Sequence, residues 1–284
     1  MHIKKIIFII SSFLIVTFMS INPGIKNIFH SPVTGTDNKI QLPVEKIIDT
    51  TFVSKFVGDS IKIDISLPAS YYDTPGKYYP VVYMTDGYWR TAEHDSIHQM
   101  SDRKEIPEVI VVGIGYPADY KFDSIRVRDL VIKSAFFFRC IKEEVLPYVE
   151  NKYRVDTGNR TLWGASYGGH FLIYAFTEHI KQGKLFKNYI CASASLNPPY
   201  SHVNLLDSEK LLWESSKELP VNLYETVGGL EVPDFINSYN TIVDAIKAHG
   251  YKYFHFEYEV IPNTNHFTVW MPTLFKGLKM FLNK

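Results

Sequence analysis

Cysteine is scarce in this chain. Two residues in 284, Cys140 and Cys191, exclude a disulfide-stapled scaffold, and their spacing matches no zinc motif. The expected state is a pair of buried free thiols. Excess charge is missing as well, because 30 Lys and Arg balance 30 Asp and Glu. Without a basic field there is no electrostatic footprint for nucleic acid, which is not an expected partner. No repeat of fixed period and no low-complexity tract is present, which excludes solenoids and arrays. Long apolar runs are confined to one place: Lys4-Lys5 precede an apolar stretch from Ile6 to Met19, and Asn22-Pro23-Gly24 follow it. Fourteen helical residues reach about 21 Å, short of the ~30 Å hydrocarbon core of a bilayer. Residues 1–21 therefore read as an export leader, either cleaved or kept as an N-terminal anchor. Export would put the mature chain in the periplasm or cell envelope, or outside the cell, with membrane contact only through this segment. No cysteine follows the run, so lipid attachment there is not expected.

What remains is enough for one sizeable core, with 46% hydrophobic residues. Residues 22–44 read as a linker broken by Pro23, Gly24, Pro32, Gly35 and Pro43, and the folded domain is expected over 45–284. Two alternating runs, 51–55 and 61–65, flank Gly58-Asp59 and predict an antiparallel hairpin. Continuous apolar runs at 80–84 and 109–113 predict strands buried on both faces. Further strands are expected at 160–163, 189–192, 221–227 and 254–260. Helical spacing predicts helices over 91–103, 134–152, 170–176, 207–217, 233–249 and 268–282. Strands alternating with helices imply a mostly parallel sheet covered on both faces. Eight strands, the first two antiparallel, resemble the α/β-hydrolase order.

The stretch after the fifth strand carries the chemistry. Gly164-Ala165-Ser166-Tyr167-Gly168 is a G-x-S-x-G pattern between an apolar strand and a helix. A serine squeezed into such a turn is pushed out of the sheet, where its hydroxyl can attack. Glycine and serine are common enough that the pentapeptide occurs by chance about once in ten chains of this length, so its context decides. A serine hydroxyl needs a base, and the base needs an orienting group. In this fold order the acid and then the histidine follow the serine along the chain. His266 stands in a polar loop after the last strand and is the expected base. Glu231, just past Gly228-Gly229, is the expected acid, with Asp234 as the alternative. Asp234 also suits the start of a helix, where the dipole favours a carboxylate. Negative charge building on an ester carbonyl calls for N–H donors. Those expected are the amide of Tyr167 and that of Tyr88, with Gly87 close behind, in the loop after the third strand.

Nine other histidines compete with His266. His170 falls four residues past Ser166 on the elbow helix, too far round to meet the hydroxyl. His94 and His98 form an i,i+4 pair, the spacing of helical zinc ligands, but no H-E-x-x-H pattern and no third ligand accompany them. Neither a metal nor a cofactor is expected, and the pair reads as a helix face near the mouth of the site.

These segments together resemble a known group. Asp86-Gly87, Val112-Gly113-Ile114, Arg126-Val127-Arg128-Asp129, the run from Glu143 to Glu150, Gly164–Gly169, Ser193-Ala194-Ser195-Leu196 and Asn265-His266-Phe267 are similar to the Putative esterase family. That family includes esterase D, feruloyl esterase domains and siderophore (enterochelin-type) esterases. The resemblance covers roughly 45–284. It implies a serine hydrolase acting on a small-molecule carboxylic ester, with Ser166 as nucleophile and His266 as base. Some siderophore-esterase relatives work with a Ser–His pair and no well-placed third carboxylate, and Glu231 replaces the Asp of several members. The usual Ser-Pro-Ser stretch reads Ser193-Ala194-Ser195 here, which reshapes a wall of the cleft. Two other readings share the scaffold: an acyltransferase, and a binding protein without catalysis.

Overall fold

The central strands carry apolar residues on both faces, and this forces helices onto both. The computed structural model describes residues 47–117, 122–198 and 200–283; the leader and linker expected at 1–21 and 22–44 lie outside the described residues. Eight strands form one sheet: β1 (Ile48–Val53), β2 (Ser60–Ser66), β3 (Tyr79–Thr85), β4 (Ile110–Gly115), β5 (Val155–Ala165), β6 (Asn188–Ala192), β7 (Asn222–Gly228) and β8 (His255–Ile261). Their order is β1-β2-β4-β3-β5-β6-β7-β8. β2 pairs antiparallel with β1 and with β4, and every other pairing is parallel. This is the eight-stranded, mostly parallel sheet with an antiparallel N-terminal hairpin that the sequence predicts.

The helices are α1 (Thr91–Asp102), α2 (Phe122–Arg126), α3 (Ser134–Cys140), α4 (Leu146–Lys152), α5 (Tyr167–Thr177), α6 (His179–Gln182), α7 (Leu205–Ser215), α8 (Pro233–Ala248) and α9 (Trp270–Leu282). Strand alternation sorts the core into two layers. On one face Tyr83, Leu162, Cys191 and Leu223 pack with Phe137, Phe171, Leu212 and Ile242 from α3, α5, α7 and α8. On the other face Met84, Trp163, Ile190 and Tyr224 pack with Ile97 of α1 and Leu274 and Leu278 of α9. Both cysteines are buried free thiols.

Two expected elements differ. The single helix predicted over 134–152 is α3, a π-helical turn over Ile141–Val145, and α4. Pro147 near the start of α4 has no N–H to continue an α-helical ladder, and the wider turn before it absorbs the break. The strand expected from Arg160 begins five residues earlier, at Val155. Its register against β3 jumps from Tyr79↔Val155 to Val81↔Arg160. Within Asp156-Thr157-Gly158-Asn159 the chain makes a local turn, with the Gly158 amide donating to Asp156 Oδ1 at 3.0 Å. The sheet accommodates that turn as a bulge rather than ending there.

The histidine pair is structural. Ser66 Oγ sits 2.7 Å from both His94 Nδ1 and His98 Nε2, and this tripod pins α1 to β2. Burial pushes the His94 pKa down to about 3, so the ring stays neutral. Both rings are buried. Among the described residues no group of three or more His, Cys, Asp or Glu is arranged to hold a metal ion.

One buried acid leaves a thermodynamic signature. Glu225 on β7 is fully buried, and neither carboxylate oxygen has a hydrogen-bond partner among the described residues. Burial pushes its pKa up to about 8, from 4.5 in the unfolded chain. Between those values the folded protein holds a proton that the unfolded chain has released. The contribution of Glu225 to stability therefore falls as pH rises through that window, by at most about 1.4 kcal/mol per pH unit, and levels off above it, against the opposite contribution of buried neutral histidines such as His94 and His170. Glu225→Gln is expected to remove this falling contribution, so that the variant gains stability relative to the parent as pH rises from 5 to 8. Urea unfolding at pH 5 and pH 8 measures it, and equal pH dependence in variant and parent would contradict the assignment.

Candidate active site

Ser166 joins β5 to α5 at φ 58°, ψ −118°, a region that a side chain other than glycine enters only when its surroundings hold it there. Three backbone bonds do so. The Ser166 amide donates to Ala192 O at 3.1 Å, and the Ser166 carbonyl accepts from Ser195 N and His170 N, each at 3.0 Å. Close packing is also required on the far side of the turn. A Cβ on Gly168 would collide with Thr85 Oγ1 and come within 3.0 Å of Asp86 Oδ2. The half-buried hydroxyl-bearing residue thus stands at the C-terminal edge of the parallel strands.

His266 and Glu231 reach the same edge from neighbouring strands. Gly228 ends β7 where a Cβ would lie 2.6 Å from Thr264 O, so glycine lets the loops after β7 and β8 touch. Leu230 N then donates to Thr264 O at 2.9 Å, and Gly229 N to Ile261 O at 2.9 Å. Asn265 Oδ1 accepts from the amides of Phe267 at 3.0 Å and Thr268 at 3.1 Å, which fixes the turn that presents His266. With both loops set, His266 Nδ1 lies 3.1 Å from Glu231 Oε1 and 3.3 Å from Oε2. The Glu231 side chain is only 4% exposed, so the bond is sheltered from water. Phe235, Phe267 and Trp270 stand edge-on around the imidazole at 5.0–6.1 Å. Asp234 lies in the first turn of α8 and lines an adjoining cleft; Glu231 is the carboxylate brought to His266. His170 turns away, Nδ1 to Ser195 O at 2.9 Å and Nε2 to Ser201 Oγ at 3.3 Å, and burial lowers its pKa to about 4.

The loop after β3 passes over the end of β4. A Cβ on Gly87 would come 2.6 Å from Ile114 N, and one on Gly115 would come 2.5 Å from Tyr88 N. This close stacking fixes the Gly87 and Tyr88 backbone against the end of β4. The amide of Tyr167, first residue of that helix, has no intrahelical acceptor by position.

Charge holds this arrangement together in a way that spacing alone does not reveal. Asp86 is buried at φ 61°. Arg126 grips it with two bonds, Nε to Oδ1 at 2.6 Å and a terminal nitrogen to Oδ2 at 3.0 Å. The same guanidinium lies over the rings of Trp89 at 4.9 Å and Tyr167 at 5.4 Å. Arg126 therefore touches residues on both sides of Gly87-Tyr88 and also the residue after Ser166. Arg90, itself buried, sits 3.9 Å from Asp86 and donates to Glu93 at 2.7 Å. Arg126 was visible in the sequence only as part of a motif, and nothing local paired it with an acid forty residues away.

A cleft of about 510 Å³ opens beside the serine turn, between residues 194–198 and the N-terminal half of α8. Ser195, whose amide bonds Ser166 O, lies on one wall, and Phe235, which packs on His266, lies on the other. The cleft thus adjoins, through Ser195 and Phe235, both the serine turn and the Glu231-bound imidazole. Comparison with known proteins gives the family. A family model described as "Putative esterase" matches residues 54–281. The chain belongs to that family. It is 26% identical over 223 residues to ferri-bacillibactin esterase BesA of Bacillus subtilis, covering 69% of this chain and 74% of that protein. It is 28% identical over 148 residues, 44% of each chain, to the apo-salmochelin esterase of Escherichia coli O6:H1. Among solved structures, the BES protein of Bacillus cereus aligns with a TM-score of 0.71 at 24% identity, covering 90% of this chain and 98% of that one. The architecture of this family member is the α/β-hydrolase-like esterase fold.

Removing the Arg126 guanidinium would leave the Asp86 carboxylate buried without its bidentate partner. Arg126→Met is expected to destabilise the fold by about 3 kcal/mol. Asp86→Asn in the same chain should recover much of that loss, because the uncompensated charge is gone. Thermal unfolding of the four members of this double-mutant cycle checks the coupling, which would vanish if the pair were independent.

Proposed function

We propose that this family member is a serine esterase that cleaves carboxylic esters through an acyl-serine intermediate. The observation that carries the reading is the sheltered His266–Glu231 bond. If Nδ1–H donates to Glu231, the other ring nitrogen, Nε2, is left as the base. In the first half-reaction His266 Nε2 takes the Ser166 proton as Oγ bonds to the ester carbonyl carbon. The carbonyl oxygen becomes an oxyanion, held by the amides of Tyr167 and of Tyr88, with Gly87 shaping their approach. Collapse breaks the carbon–oxygen bond to the alcohol, which leaves with the proton from His266. Water then gives up a proton to His266, attacks the acyl group, and the cycle reverses to release the acid and restore Ser166. Glu231 orients the ring and stabilises its charged form.

The substrate we favour is a siderophore-type ester, because the proteins named above include a ferri-bacillibactin esterase and an apo-salmochelin esterase. An export leader at residues 1–21 would put this activity at the cell envelope or outside the cell.

Ser166→Ala is expected to abolish both p-nitrophenyl ester cleavage and labelling by a fluorophosphonate probe while circular dichroism stays unchanged. Glu231→Gln should keep the fold and lower kcat by roughly 100-fold or more. Full activity in the Ser166→Ala variant would remove the mechanism.

A further inference from the structure

The cleft beside Ser166 has a charge character that bears on what enters it. Its walls present Ser195, Asn197, Asp234, Phe235, Asn237 and Ser238. Asp234 is the one charged side chain among the described residues that line it. The nearby cations are already engaged: Arg126 by Asp86, and Arg90 by Glu93 with Asp86 close by. With Glu231 committed to His266, the ion pairs described above and the cleft lining hold, among the described residues, four carboxylates (Asp86, Glu93, Glu231, Asp234) and two guanidiniums. The N-terminus of α8 would ordinarily welcome an anion, since it carries about half a positive charge. Asp234 occupies that first turn and more than cancels it. The remaining wall groups are neutral hydrogen-bonding side chains and one aromatic face. Asn197 donates to Ser238 Oγ at 3.2 Å across the cleft, which ties the two walls and leaves the Asn197 side-chain carbonyl able to accept.

We propose that the wall of this cleft beside Asp234 favours uncharged or cationic groups of the ester placed against it over anionic ones, with Asp234 as the discriminating residue. The proposal rests on the serine esterase reading above and specifies the substrate class for that site. A carboxylate entering the cleft meets Asp234 with no cation among the described residues that line it. A neutral amide or hydroxyl finds asparagine and serine partners, and an ammonium gains attraction. Because Asp234 is exposed, the discrimination is a several-fold effect and weakens as salt screens it.

The test uses matched p-nitrophenyl acyl esters and matched alkyl esters, each ending in a carboxylate, a methyl ester or an ammonium group, assayed on the full chain. The parent enzyme is expected to show kcat/KM several-fold lower for the carboxylate than for the neutral member in at least one series, mainly through KM. Asp234→Asn should bring that ratio to near one or below by uncovering the end of α8. Asp234→Lys should invert it by roughly tenfold. Raising the salt concentration should shrink every difference. The same ratio in parent and both variants would overturn the proposal. So would a common fall in kcat for all esters in Asp234→Asn, since that would make Asp234 part of the proton-transfer machinery. Cleavage of no ester by the parent, or undiminished activity in Ser166→Ala, would instead defeat the esterase reading, and this proposal with it.

Discussion

A serine with positive φ at a strand-to-helix turn is a local cost that persists only while its neighbours enforce it. Here the enforcement is mostly main-chain. β6 supplies Ala192 O, the segment after it supplies Ser195 N, and α5 closes over the turn with Gly168 pressed against Thr85. The sheet order makes these neighbours available, because β3 and β6 flank β5. The elbow is therefore a property of three adjacent strands, and the pentapeptide is only its most visible part. The same constraint explains why so much of the cleft wall comes from residues 194–198: the segment that steadies the serine also lines the space beside it.

The charged groups obey a different logic. Asp86, Arg126 and Arg90 are all buried, a placement that costs solvation and adds little net stability. Its value lies in specificity of position. A bidentate guanidinium admits one orientation of the carboxylate, and the flanking Trp89 and Tyr167 rings fix the guanidinium plane in turn. The loop after β3 and the start of α5 are thereby referenced to one another through a single side chain.

Much of this was legible in the sequence, and the exceptions share a cause. Strands buried on both faces announced themselves as continuous apolar runs, and the acid after β7 and the histidine after β8 followed from chain order. Those two side chains do meet. Hidden features were the ones set by partners distant in sequence. The Asp156–Asn159 turn reads as a strand boundary, yet the sheet carries it as a bulge because β3 continues to pair beyond it. The break between α3 and α4 depends on a missing donor at Pro147 that helical periodicity does not register. The Arg126–Asp86 pair joins two otherwise unremarkable charges, and the cleft wall is assembled from a loop and a helix forty residues apart.

The main-chain bond from Leu230 to Thr264 has a bearing on how this site can vary. It fastens the two loops that carry Glu231 and His266 through main-chain atoms that every residue except proline can supply. The separation of their Cα positions is therefore set by the backbone, independent of which acid occupies position 231. A longer carboxylate, as found here, need only fold its extra methylene into the gap. The imidazole is thus held against Glu231 by a link that does not pass through either side chain.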